Sequence, residues 1–441
     1  MLKTSARRVR NTIRQIRSRV TYETTSKRVP TITPDEPQNV LIITVDCLRD
    51  DRISKTGYRR QTTPFIDSFG SYVPAIAAAP WTFSSVPSIL TGLYPHNHGA
   101  MYPDNTSRNQ DLDNPPNAVR SDVHTLPELL DESGYETRFL TAIETAAIPI
   151  DGRFKSMKRR HDADAATLLG EMENWWNSEA GPKFGYVQLG DLHEPLQPPE
   201  TSYFGEIPDV EGIERWRFTS GDIQAEEFEK YRSARELLYD TLVRYVDNQI
   251  ENLLSNLRNL DETIVIITSD HGEEFWEYVD FEKSHFEDSR GIYGVGHGHA
   301  LVPPVLEVPI ITNVIGIPSA TTHQSLVDVV PTILRELGVD TSLTFDGDPL
   351  QEVTQEDRPI LSQEIAYGPN QISVTTDGVH MIYIPATDRY LLIDFETGKR
   401  ITDKDTEKRL WEYLPQERVT GSNIDVSSDV QERLSDLGYT E

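Results

Sequence analysis

Five apolar runs, at residues 40–45, 137–142, 184–189, 263–268 and 308–313, are separated by stretches long enough to hold helices. Strands alternating with helix-length segments imply βαβ units and a mostly parallel sheet flanked by helices. The run Val40-Leu-Ile-Ile-Thr-Val45 is apolar on consecutive residues rather than alternate ones, as in a strand covered on both faces. Such a sheet presents its working side chains at the carboxyl ends of the strands. After about residue 345 the pattern changes. Gln371-Ile-Ser-Val-Thr, Val379-His-Met-Ile-Tyr-Ile384 and Tyr390-Leu-Leu-Ile-Asp-Phe395 are short, β-rich and separated by turn residues, Asp377-Gly378 among them. They predict a small antiparallel meander capping the main sheet. The expected division is an arm and Pro-punctuated linker over 1–38, a main α/β unit over 39–345, and a β-rich subdomain and tail over 346–441.

Several strand ends carry chemistry. Asp46 closes the first run, so its carboxylate must find a cation or donors on leaving the sheet; an N-cap or a salt bridge to Arg49 or Arg52 would also serve. Thr268-Ser-Asp270-His271-Gly272 closes another and offers one hard oxygen and one imidazole, a set suited to Zn²⁺ or Mn²⁺, with Ca²⁺ or Mg²⁺ as further candidates. Thr82 follows Pro80-Trp81 and opens a helical run reaching Leu90-Thr-Gly92. A hydroxyl there is a helix cap or, with the anion-stabilising helix end and a metal on its oxygen, a nucleophile. His193, after a third run, can bind an oxyanion or protonate a leaving group. His297 and His299, two apart in a glycine-rich loop, offer the same service or a second metal site. Two insertions, 198–230 and 275–295, are long enough to be lids or substrate-contact elements.

Charge narrows the partners. With 71 acidic against 42 basic residues in 441, the net charge is −29, the solvated acidic shell expected of a high-salt cytoplasm. Nucleic acid is an unsuitable partner for such a surface. Residues 1–30 break the pattern: nine Lys/Arg and one acid give +8, leaving −37 on the rest. Val9, Ile13, Ile16 and Val20 make this arm a basic amphipathic helix. Residues 1–28 could lie on the anionic inner face of a membrane, or fold back on the acidic body. Cys47 is the single cysteine, so no intrachain disulfide forms. No apolar run approaches the ~20 residues of a membrane span, and no signal-peptide core follows the start. A cytoplasmic protein, peripheral at most, is expected.

The chain resembles the sulfatase family of the alkaline phosphatase superfamily. Matching segments include Asn39-Val-Leu-Ile-Ile-Thr-Val-Asp46, Thr63-Pro-Phe-Ile-Asp67, Leu90-Thr-Gly-Leu-Tyr-Pro-His-Asn-His-Gly99, Asp191-Leu-His-Glu-Pro195 and Ser269-Asp-His-Gly-Glu273. Val308-Pro-Ile-Ile311, Asp328-Val-Val-Pro-Thr-Ile333 and Phe345-Asp-Gly-Asp-Pro-Leu350 follow in the family's order. The resemblance implies metal ligands at Asp46, Asp270 and His271, and a nucleophile at Thr82, ten residues before Gly92, where the family carries formylglycine. Yet Thr82-Phe-Ser-Ser-Val86 lacks the Cys/Ser-x-Pro-x-Arg motif, and oxidised threonine would be a ketone, so no formylglycine is expected. Cys47 replaces the second metal aspartate, and the family's Gly-Lys-x-His is absent after Gly134-Tyr-Glu-Thr137. The implied activity is a metal-dependent hydrolase or transferase of phosphoesters, with Thr82 as nucleophile and also a metal contact. His193 and His297 would assist catalysis, and His193, His297 and His299 would bind substrate. A sulfuric ester hydrolase using Thr82 directly, and a catalytically silent glycan- or lipid-binding protein, are the alternatives. A glycolipid or glycan precursor fits as the ester substrate.

Overall fold

A computed structural model of the chain describes residues 29–422, except 36–37, 104–114, 162, 221, 319–322, 353–357, 377 and 416–419. The basic arm at 1–28 lies outside the described residues. Nine of the ten strands introduced first fall as follows: β1 (Asn39–Val45), β2 (Ser71–Ile76), β3 (Glu136–Thr141), β4 (Ser156–Arg159), β5 (Lys183–Leu189), β6 (Thr263–Thr268), β7 (Glu274–Phe275), β8 (Val295–Gly296) and β9 (Glu307–Thr312). The tenth is β10 (Gln324–Ser325). The main sheet has the order β10-β2-β9-β6-β1-β5-β3-β4, while β7 and β8 pair as a separate ribbon. In the main sheet β9 alone runs antiparallel to its neighbours, β2 and β6. Strands β1, β5 and β6 are buried along their whole length, which is why their sequences are continuously apolar. All five expected runs are strands. The run at 308–313 enters the sheet in reverse, a direction that composition does not encode.

Helices cover both faces. Helix α1 (Thr82–Thr91), fully buried, packs on one face with Val86, Ile89 and Leu90. Helices α2 (Ala165–Ser178) and α3 (Phe228–Asn256) cover the other, with Leu168, Met172, Leu242 and Val246 against Leu41 and Ile43. Helix α4 (Val279–His285) lies inside the second insertion.

Beyond the main sheet, β11 (Ile360–Gln363), β12 (Ile372–Thr376), β13 (Val379–Ile384) and β14 (Arg389–Asp394) form an antiparallel meander in sequence order. It is hooked onto the end of β2: Ser362 Oγ donates to Ala77 O at 2.6 Å and Gln363 N donates to Ala78 O at 2.9 Å. Among the described residues, no helix is long and apolar enough to cross a membrane.

Candidate active site

Parallel pairing puts the carboxyl ends of β1, β5 and β6 side by side, and three candidate residues leave from there. Asp46 follows β1 directly. The next residue, Cys47, takes a left-handed conformation with φ of 62°, which turns the chain sharply and keeps both side chains at the sheet edge. Asp270 and His271 follow β6, and the chain then passes close under a neighbour. A Cβ on Gly272 would stand 2.1 Å from Pro304 O, so only glycine fits there. Thr82 opens α1 across the crevice.

These four side chains converge. Thr82 Oγ1 lies 3.2 Å from Asp46 Oδ2 and 3.1 Å from His271 Nε2. His271 Nε2 is 3.7 Å from Asp46 Oδ1 and 3.6 Å from Asp270 Oδ2. Asp46, Asp270 and His271 each offer a ligand atom within 4.8 Å of the others, and all three are fully buried. His271 Nδ1 donates to Gly272 O at 2.9 Å, which leaves the Nε2 lone pair for the cluster. Arg49 and Arg52 do not neutralise it: they pair with Asp51, Glu277 and Asp240.

Two buried carboxylates therefore face one imidazole. Burial pushes the Asp46 carboxyl up, but His271, His193 and His297 around it more than offset this and hold it below its usual range. Burial and the charge of Asp46 push Asp270 well above the usual carboxylate range. Among the described residues, neither oxygen of Asp270 has a well-aligned hydrogen-bond donor. Buried carboxyl oxygens without donors are costly, and a cation satisfies them where no donor does. The mixed oxygen and nitrogen set thus fits a divalent metal held by Asp46, Asp270 and His271, with Thr82 Oγ1 as a neighbouring fourth ligand atom.

His297 and His193 extend the site. The ring of His297 is 4.3 Å from that of His271 and 5.2 Å from that of His193, between centroids. Burial, with His271 and His193 alongside, holds the His297 imidazole well below its usual range. His193 Nδ1 donates to Glu194 O at 2.7 Å, which fixes the orientation of the ring. His193 also lines a groove of about 510 Å³ together with Ala142, Asp164, Asp191, Glu194 and Glu200. Among the described residues, no lysine or arginine lines this groove.

His299, expected to bind substrate or hold a second metal, lies apart from these groups. Its ring points away from His297 chemistry into a separate buried cluster, with Nε2 at 3.3 Å from Glu274 Oε2 and 3.0 Å from Glu282 Oε1. Three residues that the sequence reading gave no role stand at the site instead. Glu273 Oε1 is 3.1 Å from His297 Nδ1, and burial pushes its carboxyl up to about 7. Gln188 Nε2 donates to Asp46 Oδ2 at 3.3 Å. Cys47 Sγ donates to Asp46 Oδ1 at 2.9 Å, its thiol pushed well up by burial, Asp46 and Glu273. Glu273 sits in Ser269-Asp-His-Gly-Glu273 and Gln188 one residue before a strand end, so position was the available signal.

The chain belongs to the sulfatase family, whose model, described as Sulfatase, matches residues 38–339. It is 26% identical over 336 residues to a low-salt glycan biosynthesis sulfotransferase, Agl7, of Haloferax volcanii; the alignment spans 74% of this chain and 67% of that protein. Among solved structures, the phosphonate monoester hydrolase of Agrobacterium radiobacter has a TM-score of 0.61 at 17% identity, over 91% of this chain and 95% of that one. The zinc complex of the C-terminal periplasmic domain of EptC from Escherichia coli has a TM-score of 0.52 at 14% identity, over 76% of this chain and 93% of that one. At such identities these two likenesses concern the fold.

Proposed function

We propose that the chain is a metal-dependent hydrolase or transferase of phosphoesters in which Thr82 takes the transferred group covalently. The observation that carries this reading is the Thr82 hydroxyl between Asp46 Oδ2 and His271 Nε2, inside a ligand set with unsatisfied carboxylate oxygens. Mn²⁺ or Zn²⁺ bound there would lower the pKa of the hydroxyl and balance the charge of the ester. Asp46 Oδ2 accepts the hydrogen bond of Thr82 and aims its oxygen into the crevice. Thr82 Oγ1 then forms a bond to phosphorus as the bond to the leaving oxygen breaks. His193, its Nδ1–H fixed on Glu194 O, delivers a proton from Nε2 to that leaving oxygen. His297, steadied by Glu273, holds an oxygen of the transferred group. Water or an acceptor alcohol releases the group from Thr82 and regenerates the hydroxyl.

A second reading, sulfuryl transfer on a glycan, is favoured by the relationship to the Haloferax volcanii glycan sulfotransferase. Both readings place an ester of a saccharide or glycolipid in the groove beside His193. One experiment addresses both: incubation with slow aryl esters carrying radiolabelled phosphorus or sulfur, followed by peptide mapping. Phosphorus label on Thr82 supports the first reading and sulfur label the second. Labelling of neither, with turnover intact, overturns the covalent step.

A further inference from the structure

We propose that Glu274 Oε2, Glu282 Oε1 and His299 Nε2 form a second divalent-cation site, structural in role, that clamps the insertion at 275–295 onto the loop carrying His297. The three side chains come from β7, α4 and the loop after β8, and all are buried. Their ligand atoms lie within 4.8 Å of one another. The nitrogen stands 3.3 Å and 3.0 Å from the two oxygens. Ligand atoms on a tetrahedral ion with bonds of ~2.0–2.1 Å are separated by roughly 3.3 Å, so the side chains are close to coordination spacing.

Each carboxylate is already held from behind. Glu274 Oε1 accepts from Tyr278 N at 2.7 Å, and Glu282 Oε2 accepts from Gly294 N at 2.6 Å. Those bonds fix both groups with their second oxygens turned inward. Among the described residues, Glu282 Oε1, buried and facing the centre, has no well-aligned donor, with His299 Nε2 beside it at 3.0 Å. The backbone is shaped around this contact as well. Gly294 has φ of 76°, and a Cβ there would meet Val279 Cγ2 at 2.1 Å, so α4 and the loop approach as only glycine permits.

Without a cation, burial and the neighbouring Glu282 push the Glu274 carboxyl well up, so a proton on Glu274 is the metal-free way of holding the two carboxyls together. A divalent cation with a neutral imidazole leaves no net charge and satisfies both oxygens. The unpartnered Nδ1 of His299 does not discriminate, since imidazolium and metal-bound imidazole alike carry a hydrogen there. Two carboxylate oxygens and one nitrogen suit Zn²⁺ or Mn²⁺.

The cluster is distinct from the active site yet adjoins it. Glu273 and Glu274 are consecutive, and their side chains diverge: Glu273 reaches His297, Glu274 reaches His299. Register places Glu274 opposite Gly296, directly before His297. A cation on the far side of this ribbon would therefore hold in place the loop from which His297 works.

The test is metal content of the full chain, dialysed in high salt against Zn²⁺ or Mn²⁺ and then freed of excess ion. Two equivalents per chain are expected, one in Glu282→Gln, one in Asp46→Asn, and none in the double variant. Anomalous diffraction from wild-type crystals at the edge of the retained metal should place a peak between Glu274, Glu282 and His299. That measurement decides the matter should Glu282→Gln fail to fold. Equal metal content in wild type and Glu282→Gln, or no peak at the three side chains, overturns the proposal. A wild type with one equivalent that Glu282→Gln loses and Asp46→Asn keeps would support this site while removing the metal from the proposed catalytic one.

Discussion

Ser85 Oγ donates to the main-chain carbonyl of Asp270 at 2.6 Å, tying the helix that carries Thr82 to the strand end that carries two candidate ligands. Ser84 Oγ is spent in the same way on Ala100 O at 2.8 Å. Of the three hydroxyls at the start of α1, the one on Thr82 is left facing the carboxylates. Thr82→Ala should therefore abolish turnover with little change in stability, while Thr82→Ser keeps measurable activity. Ser85→Ala should do the reverse. It strands a buried carbonyl at a cost of about 1–3 kcal/mol but retains the nucleophile. Turnover and denaturant unfolding of the three variants check this. Full activity in Thr82→Ala would move the nucleophile elsewhere.

Metal removal gives a second prediction. Without a cation, Asp46 and Asp270 oppose each other across one imidazole, so chelation should lower the melting temperature of the wild type. Asp270→Asn removes one of the opposed charges. It should melt no lower than the chelated wild type, and added metal should raise its melting temperature by less than in the wild type, because the cluster of Glu274, Glu282 and His299 is left intact. At a free ion concentration of a thousand times Kd, the wild type gains about 4 kcal/mol from binding. Calorimetry with and without chelator reads both effects; a metal-dependent rise in Asp270→Asn as large as in wild type would argue against the ligand assignment.

How much of this was legible depended on burial. Strands β1, β5 and β6 are covered on both faces, so their sequences are unbroken apolar runs that could not be missed. The other strands left weaker marks. β2 carries Pro74 opposite Pro309 of β9, β4 is Ser-Met-Lys-Arg at the sheet edge and half-buried throughout, and β10 is two residues long. The grouping of Asp46, Thr82, Asp270 and His271 was readable because Asp46 directly follows β1, Asp270 and His271 come two and three residues after β6, and Thr82 opens α1. The partners of His299 were not, because Glu274 borders and Glu282 lies in an insertion rich in acids, where nothing in the composition separates a buried glutamate from a solvated one.

The pH response of stability should show Asp191. Burial pushes its carboxyl up to about 7; Oδ1 accepts from Ala165 N at 3.1 Å and Oδ2 has no partner. A raised carboxyl favours the protonated form in the fold. The stabilisation is complete below the unfolded value near 4, and it is lost as pH rises through about 7. Asparagine keeps the accepting oxygen and cannot ionise. The stability of Asp191→Asn relative to wild type should rise between pH 5 and 7.5, by up to about 3 kcal/mol at ~1.4 kcal/mol per pKa unit, and level off above pH 8. A gap independent of pH would show that Asp191 is ionised throughout.

The choice between phosphorus and sulfur rests on what surrounds the ester. A phosphodiester and a sulfate monoester each bring about one negative charge, so the ground-state charge does not separate them. The family resemblance associates sulfate binding with a lysine after the Gly-Tyr-x-Thr turn; here β3 ends in Leu140-Thr141 and passes to Ala142, which lines the groove beside His193. Among the described residues, the groove holds Asp164, Asp191, Glu194 and Glu200 and no lysine or arginine. Charge building on a leaving oxygen must then be met by a proton from His193 and by the bound cation, the needs of a phosphodiester or phosphonate monoester. Turnover of an aryl phosphodiester or phosphonate monoester should exceed that of the matched aryl sulfate by at least ~10-fold, a barrier difference of about 1.4 kcal/mol. The assay belongs in high salt with Mn²⁺ or Zn²⁺, because salt screens the self-repulsion of a chain with a net charge of −29. His193→Gln should depress esters with poor leaving groups far more than nitrophenyl esters, whose leaving oxygen needs no proton. Faster release of sulfate under these conditions would transfer the assignment to the sulfuryl chemistry of the glycan sulfotransferase relative.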